Sequence, residues 1–221
     1  MCFKKYSKIP RKIDFKPNWG NIIIEGDSNV AFQTDVFKKH IPGAGVIAMG
    51  GDTPQGVIAE FPKVEAYHFD EQPIDKAYIQ IGGNLWIVSN MELDFSRKKF
   101  ITDMTKVIKL YKTLLDPSDI LIAGLPFVDP THKIASTHSA KWLPGPLKKL
   151  IKNISTNDVF HAMSIELYEL CMRENVNYFD LFSRLAWCWH KYGREYWWDA
   201  LHYDTRIGEM IIPDIKRSLN I

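Results

Sequence analysis

The segment that most restricts the fold of this chain is Ile22-Ile23-Ile24-Glu25-Gly26-Asp27-Ser28-Asn29, where three β-branched residues run into an abrupt turn. A continuous β-branched run reads as a strand buried on both faces, the kind that parallel sheets require. Gly-Asp-Ser-Asn stops it with residues that favour turns and helix caps. Val30-Ala31-Phe32 and Val36-Phe37 then open a helical pattern that reaches about His40, before Pro42-Gly43. Strand, tight turn and helix together leave a serine hydroxyl standing at the carboxyl edge of a sheet, beside helix N-terminal amides that attract negative charge. Ser28 is therefore a candidate nucleophile. The plainer reading of the same residues is a helix cap.

The pattern repeats along the chain. Val46-Ile47-Ala48-Met49 reads as a second buried strand ending in Gly50-Gly51-Asp52-Thr53, with Pro54 suited to the first turn of a helix. Ala77–Ile81 is a third strand ending at Gly82-Gly83-Asn84. Asp94 to Leu115 reads as a long amphipathic helix, its apolar residues recurring at helical spacing. Ile120-Leu121-Ile122-Ala123 is a fourth strand, and a helix capped by Thr156 or Asn157 runs to about Glu174. Val176–Phe182 is read as a fifth strand, followed by an aromatic-rich stretch from Trp187 to Trp198. A last helix begins near Asp204 and is expected to bend or restart at Pro213. Strands alternating with helices predict a mostly parallel five-stranded sheet in a three-layer α/β/α sandwich, with right-handed crossovers. Its site lies beyond the carboxyl ends of the strands. Ser28, Gly51, Asn84 and the 199–202 segment would all meet there.

At 221 residues, 46% hydrophobic and 24% charged, the chain suits one soluble domain with a substantial core. Residues 1–20, with Lys4, Lys5, Lys8, Arg11, Lys12 and Lys16, read as a basic arm ahead of a single domain over 21–221. The 128–155 connection is long enough to be a candidate lid. A net charge of +2 gives no basic excess that would make nucleic acid the main partner. The arm lacks the apolar core of a secretory signal, and no apolar run approaches the roughly 20 residues that span a bilayer, so a cytoplasmic protein is expected. Its Lys-, Ile- and Asn-rich character suits a low-GC bacterium or one of its phages. Cys2, Cys171 and Cys188 are odd in number and widely spaced, as ordinary reduced thiols are. His132 and His138 have no partner ligands at metal-site spacing.

A serine needs a base to take its proton, and the base needs an orienting partner. In Asp199-Ala200-Leu201-His202 the carboxylate stands three positions before an imidazole, close enough to hold one ring nitrogen while the other faces the serine. The oxyanion formed by attack on an ester needs preset donors. The amides of Ser28 and Gly51 and the side-chain amide of Asn84 are the candidates. Trp86, Trp197 and Trp198 lie near these positions as candidate substrate walls, although most of the aromatic stretch is expected to pack the last loop onto the domain.

Taken in order, Gly26-Asp27-Ser28, Gly51, Gly82-Gly83-Asn84 and Asp199-Ala200-Leu201-His202 resemble the first, second, third and fifth motif blocks of the SGNH (GDSL) hydrolases. Gly50–Gly56 is similar to the same segment of bacterial thioesterase/lysophospholipase members. The resemblance implies a flavodoxin-like sandwich and a serine esterase that needs neither cofactor nor metal. Ser28 would be acylated, His202 would serve as base and then acid, Asp199 would orient it, and Ser28, Gly51 and Asn84 would line the oxyanion hole. The expected substrate is a small-molecule or carbohydrate acyl ester, with an O-acetyl carbohydrate favoured by the aromatic stretch. Lysophospholipase or thioesterase action, acyl transfer, and a catalytically silent binding module on the same fold are the alternatives. Two departures stand out: Leu85 follows Asn84 where the family has Asp, and Tyr203 follows His202 where it often has Pro.

Overall fold

A computed structural model describes residues 20–84, 93–131 and 155–221. The basic arm, Trp86, His132, His138 and nearly all of the 128–155 connection lie outside the described residues. Five parallel strands form one sheet: β1 (Ile22–Gly26), β2 (Ala44–Ala48), β3 (Lys76–Gln80), β4 (Ile120–Ala123) and β5 (Asn177–Phe179), in the order β2-β1-β3-β4-β5. Ile23, Ile24, Tyr78, Ile79 and Ile120–Ile122 are essentially inaccessible, as their unbroken apolar runs require. Helices α3 (Pro54–Asp70), α4 (Leu93–Tyr111) and α5 (Thr156–Glu174) pack in succession, while α7 (Thr205–Leu219) packs against α2 (Thr34–His40). The three-layer α/β/α sandwich is thus present. In this strand order the sheet reverses direction of growth between β1 and β3, which locates the ligand crevice at their carboxyl ends.

The caps explain most helix starts. The cap of α5 is Ser155, one residue ahead of the expected Thr156 or Asn157, and it forms a reciprocal capping box with Asp158, each accepting from the other's backbone amide. Asp180 accepts from Ser183 N at the start of α6 (Leu181–Tyr192), and Asp204 from Arg206 N at the start of α7. Asn175 and Asn220 close α5 and α7 in the left-handed conformation.

Three expectations need correction. The helix after Ser28 is interrupted at Gln33 into α1 (Ser28–Phe32) and α2. Gln33 is buried and donates to Tyr203 O at 3.0 Å, so tertiary bonding breaks the helical run. Pro213 does not restart the last helix; α7 runs through it, as α3 runs through Pro62. The fifth strand ends at Phe179, and Leu181–Tyr192 is helix. Leu181, Phe182, Leu185 and Cys188 turn inward at helical spacing, a period that the neighbouring aromatics obscure.

Candidate active site

β1 ends at Gly26, where the chain must pass close to its neighbours. A Cβ there would lie 2.4 Å from Gln80 O and 2.4 Å from Val30 Cγ2, so only glycine lets the turn follow the strand this tightly. Asp27 then caps α1 by accepting from Asn29 N at 3.0 Å. Ser28 is the first residue of that helix and is 6% exposed. Its hydroxyl meets a side chain 174 positions away: Ser28 Oγ is 2.8 Å from His202 Nε2.

The other ring nitrogen of His202 faces Asp199. Nδ1 is 2.9 Å from both carboxylate oxygens, and Oδ1 also accepts from Leu201 N at 2.7 Å and His202 N at 3.0 Å. These amide donors hold the carboxylate in one orientation. A carboxylate facing Nδ1 favours the tautomer with its proton there, which leaves the Nε2 lone pair aimed at the serine hydroxyl. Asp199, His202 and Ser28 are therefore one hydrogen-bonded line.

The two loops expected to supply oxyanion donors are joined to each other. Asn84 donates from Nδ2 to Asp52 O at 3.0 Å, which ties the turn after β3 to the turn after β2. The side-chain amide carries a second N–H in addition to that one. Gly51 has a φ of +83°, a left-handed conformation that favours glycine. Asp52, whose Oδ1 accepts from Thr53 N at 2.7 Å, is pushed up to about 6 by burial.

The same architecture recurs in solved structures. An acetylxylan esterase from Geobacillus stearothermophilus matches with a TM-score of 0.61 at 12% identity, over 93% of this chain and 97% of that one. A structure assigned as a GDSL-like lipase, from Parabacteroides merdae, matches with a TM-score of 0.61 at 16% identity, over 95% of this chain and 99% of that one. The chain shares the three-layer α/β/α fold of these two proteins. At these identities the likeness is one of fold. No protein-family model and no curated protein matches the sequence.

Within this fold the Asp-His loop reaches the site differently from the sequence expectation. Segment 199–202 does not follow a strand directly, because α6 intervenes. It is brought back to the sheet edge by Asp129, which lies just after β4 and donates its amide to Ala200 O at 2.9 Å. Asp129 itself is fully buried. Its Oδ1 accepts from Thr131 N and Oγ1, and its Oδ2 pairs with Arg194 Nε at 3.1 Å. An antiparallel bridge between Trp197 and Tyr203 closes the base of the loop. Below it, Gln80 Oε1 accepts from the hydroxyls of Tyr78 at 2.9 Å and Tyr203 at 3.3 Å. No local pattern marks Asp129, Gln33 and Gln80 as supports of this loop, because the loop residues they bond, Ala200 and Tyr203, lie far away in sequence.

The two described tryptophans of the candidate substrate wall part company. Trp197 is 6% exposed and packs with the hydrophobic core. Trp198 is 48% exposed. Cys171 and Cys188 are buried free thiols, pushed upward by burial and unsuited to chemistry at neutral pH. Among the described residues no helix is long and apolar enough to cross a membrane, and no group of three or more His, Cys, Asp or Glu is placed to hold a metal ion.

Proposed function

We propose that this protein is a serine ester hydrolase of the SGNH (GDSL) type, acting on an acyl ester, with an O-acetylated carbohydrate as the favoured substrate class. The observation that carries the reading is the line from Ser28 Oγ through His202 Nε2 at 2.8 Å and Nδ1 to the Asp199 carboxylate at 2.9 Å. Fold likeness to an acetylxylan esterase and to a GDSL-like lipase supports it.

In this mechanism His202 Nε2 takes the hydroxyl proton as Ser28 Oγ attacks the ester carbonyl carbon. The Asp199 carboxylate stabilises the imidazolium. Negative charge that collects on the carbonyl oxygen is met by the amides of Ser28 and Gly51 and by Asn84 Nδ2. The tetrahedral adduct collapses with cleavage of the C–O bond, and His202 returns its proton to the departing alkoxide. Water then attacks the acyl-Ser28 carbonyl, giving its proton to His202. The second collapse releases the carboxylic acid, while the proton on His202 returns to Ser28 Oγ. The test is hydrolysis of p-nitrophenyl acetate and butyrate by wild type and Ser28→Ala. Loss of at least about 10³-fold in kcat is expected for the variant, and equal rates would overturn the reading.

A further inference from the structure

We infer that Trp198, leaning on Phe32, is the subsite for the alcohol half of the ester, and that it takes a pyranose ring. The inference rests on the hydrolase reading of Ser28 and His202.

The chemistry fixes which half of an ester lies there. The imidazole that removes the serine proton must later protonate the leaving oxygen, so the alcohol sits against His202 and not against the oxyanion donors. Phe32 is four residues after Ser28, on the same side of α1. Its ring lies 5.0 Å from the His202 imidazole, edge to face, and 4.7 Å from the Trp198 indole at 87°. Three rings therefore run outward from the nucleophile–base pair, and the outermost is half open to solvent.

That outer ring is held in place. Trp198 Nε1 donates to Asp204 Oδ2 at 3.0 Å, and its backbone amide donates to His202 O at 2.9 Å. Asp204 is anchored in turn by capping α7 and by Arg206 Nε at 3.0 Å, while the Arg206 guanidinium lies 4.0 Å over Tyr196. An exposed indole fixed at both its ring nitrogen and its main chain loses little freedom when a ligand covers it. Because Nε1 is already committed to Asp204, the ring offers a flat apolar face and no donor. Such a face complements the C–H surface of a pyranose, with Asp204 and Arg206 at its rim for hydroxyl groups. A long acyl chain would instead require an enclosed apolar cleft.

The test uses two acetyl esters that share the acyl group, methyl acetate and a per-O-acetylated methyl xyloside, with wild type and Trp198→Ala. The ratio of kcat/KM for the sugar ester over methyl acetate is expected to fall about tenfold, mostly through KM, the size of one lost aromatic contact. Trp198→Phe should recover part of the ratio. An unchanged ratio, even with both rates lowered, would mean that Trp198 only props the loop and would overturn the subsite. Should Trp198→Ala not fold, Phe32→Leu leaves the bonds of residues 198–204 in place and is expected to lower the same ratio; no change there is equally fatal. Failure of the hydrolase reading looks different: wild type cleaves neither ester, or Ser28→Ala cleaves both as fast. Either result removes the subsite with it.

Discussion

Asp129 N and Ala200 O are joined by a 2.9 Å hydrogen bond, which ties the loop bearing Asp199 and His202 to the segment that follows β4. The helix that precedes the loop contributes length; the strand edge contributes position. A base placed by a loop is only as well aimed as that loop's ties, and small displacements at a reacting centre lower rates steeply.

Asp129→Ala should therefore impair turnover more than binding. The change strips the acceptor from Thr131 N and Oγ1 and the partner from Arg194, which is 65% exposed. A loss of about 1–3 kcal/mol in stability is expected from the lost hydrogen bonds to a fully buried carboxylate, together with a fall of about tenfold in kcat at nearly constant KM. Arg194→Ala leaves the fully buried Asp129 carboxylate without its cation and should cost about 3 kcal/mol, with the loop's hydrogen bonds otherwise in place. Steady-state kinetics beside thermal unfolding checks this. A destabilised Asp129→Ala with full kcat would show that Asp129 supports the fold and not the aim of His202.

Stability should decline on the alkaline side for a reason buried in β1. Glu25 is 2% exposed, with Tyr111 OH donating to its carboxylate. Burial pushes its carboxyl from 4.5 up to about 8, against the opposing bond from Tyr111. The folded state keeps a proton that the unfolded chain releases. The contribution is thus complete below about pH 4.5 and is lost as pH rises to about 8. Asp27 and Asp52, each raised by burial from 3.8 to about 6, act with the same sign over that lower window. Glu25→Gln keeps an uncharged acceptor for Tyr111 in the same volume. Its melting temperature should fall less than that of wild type between pH 6 and 9, with a gain on the order of 1–3 kcal/mol at pH 9. Parallel curves in thermal unfolding across that range would contradict a protonated Glu25 in the folded protein.

Local signals and distant ones differ in what they reveal about this molecule. Ile22–Ile24 and Ile120–Ala123 announce buried strands because nothing polar interrupts them, and Asp204 begins a helix where its side chain can reach a backbone amide nearby. The spacing of Asp199 and His202 is likewise short enough to read. What is hidden depends on partners far along the chain. Gln33 breaks a helix for the sake of Tyr203, 170 positions away, and Asp129 has no local pattern that points to Ala200. The aromatic stretch misleads because its tryptophans divide between two roles: Trp197 fills the core, whereas its neighbour Trp198 faces out. Tyr203 uses its hydroxyl to join the Gln80 network under His202.

The most direct test of Ser28 as nucleophile is covalent. A fluorophosphonate probe phosphonylates a serine only where a base activates the hydroxyl and donors accept the developing charge. Wild type, Ser28→Ala and His202→Ala would be treated with the probe, digested and mapped by mass spectrometry. The expected result is a single adduct on the peptide containing Ser28, absent in Ser28→Ala and strongly slowed in His202→Ala. An adduct on another residue, or labelling of wild type no faster than of Ser28→Ala, would contradict it.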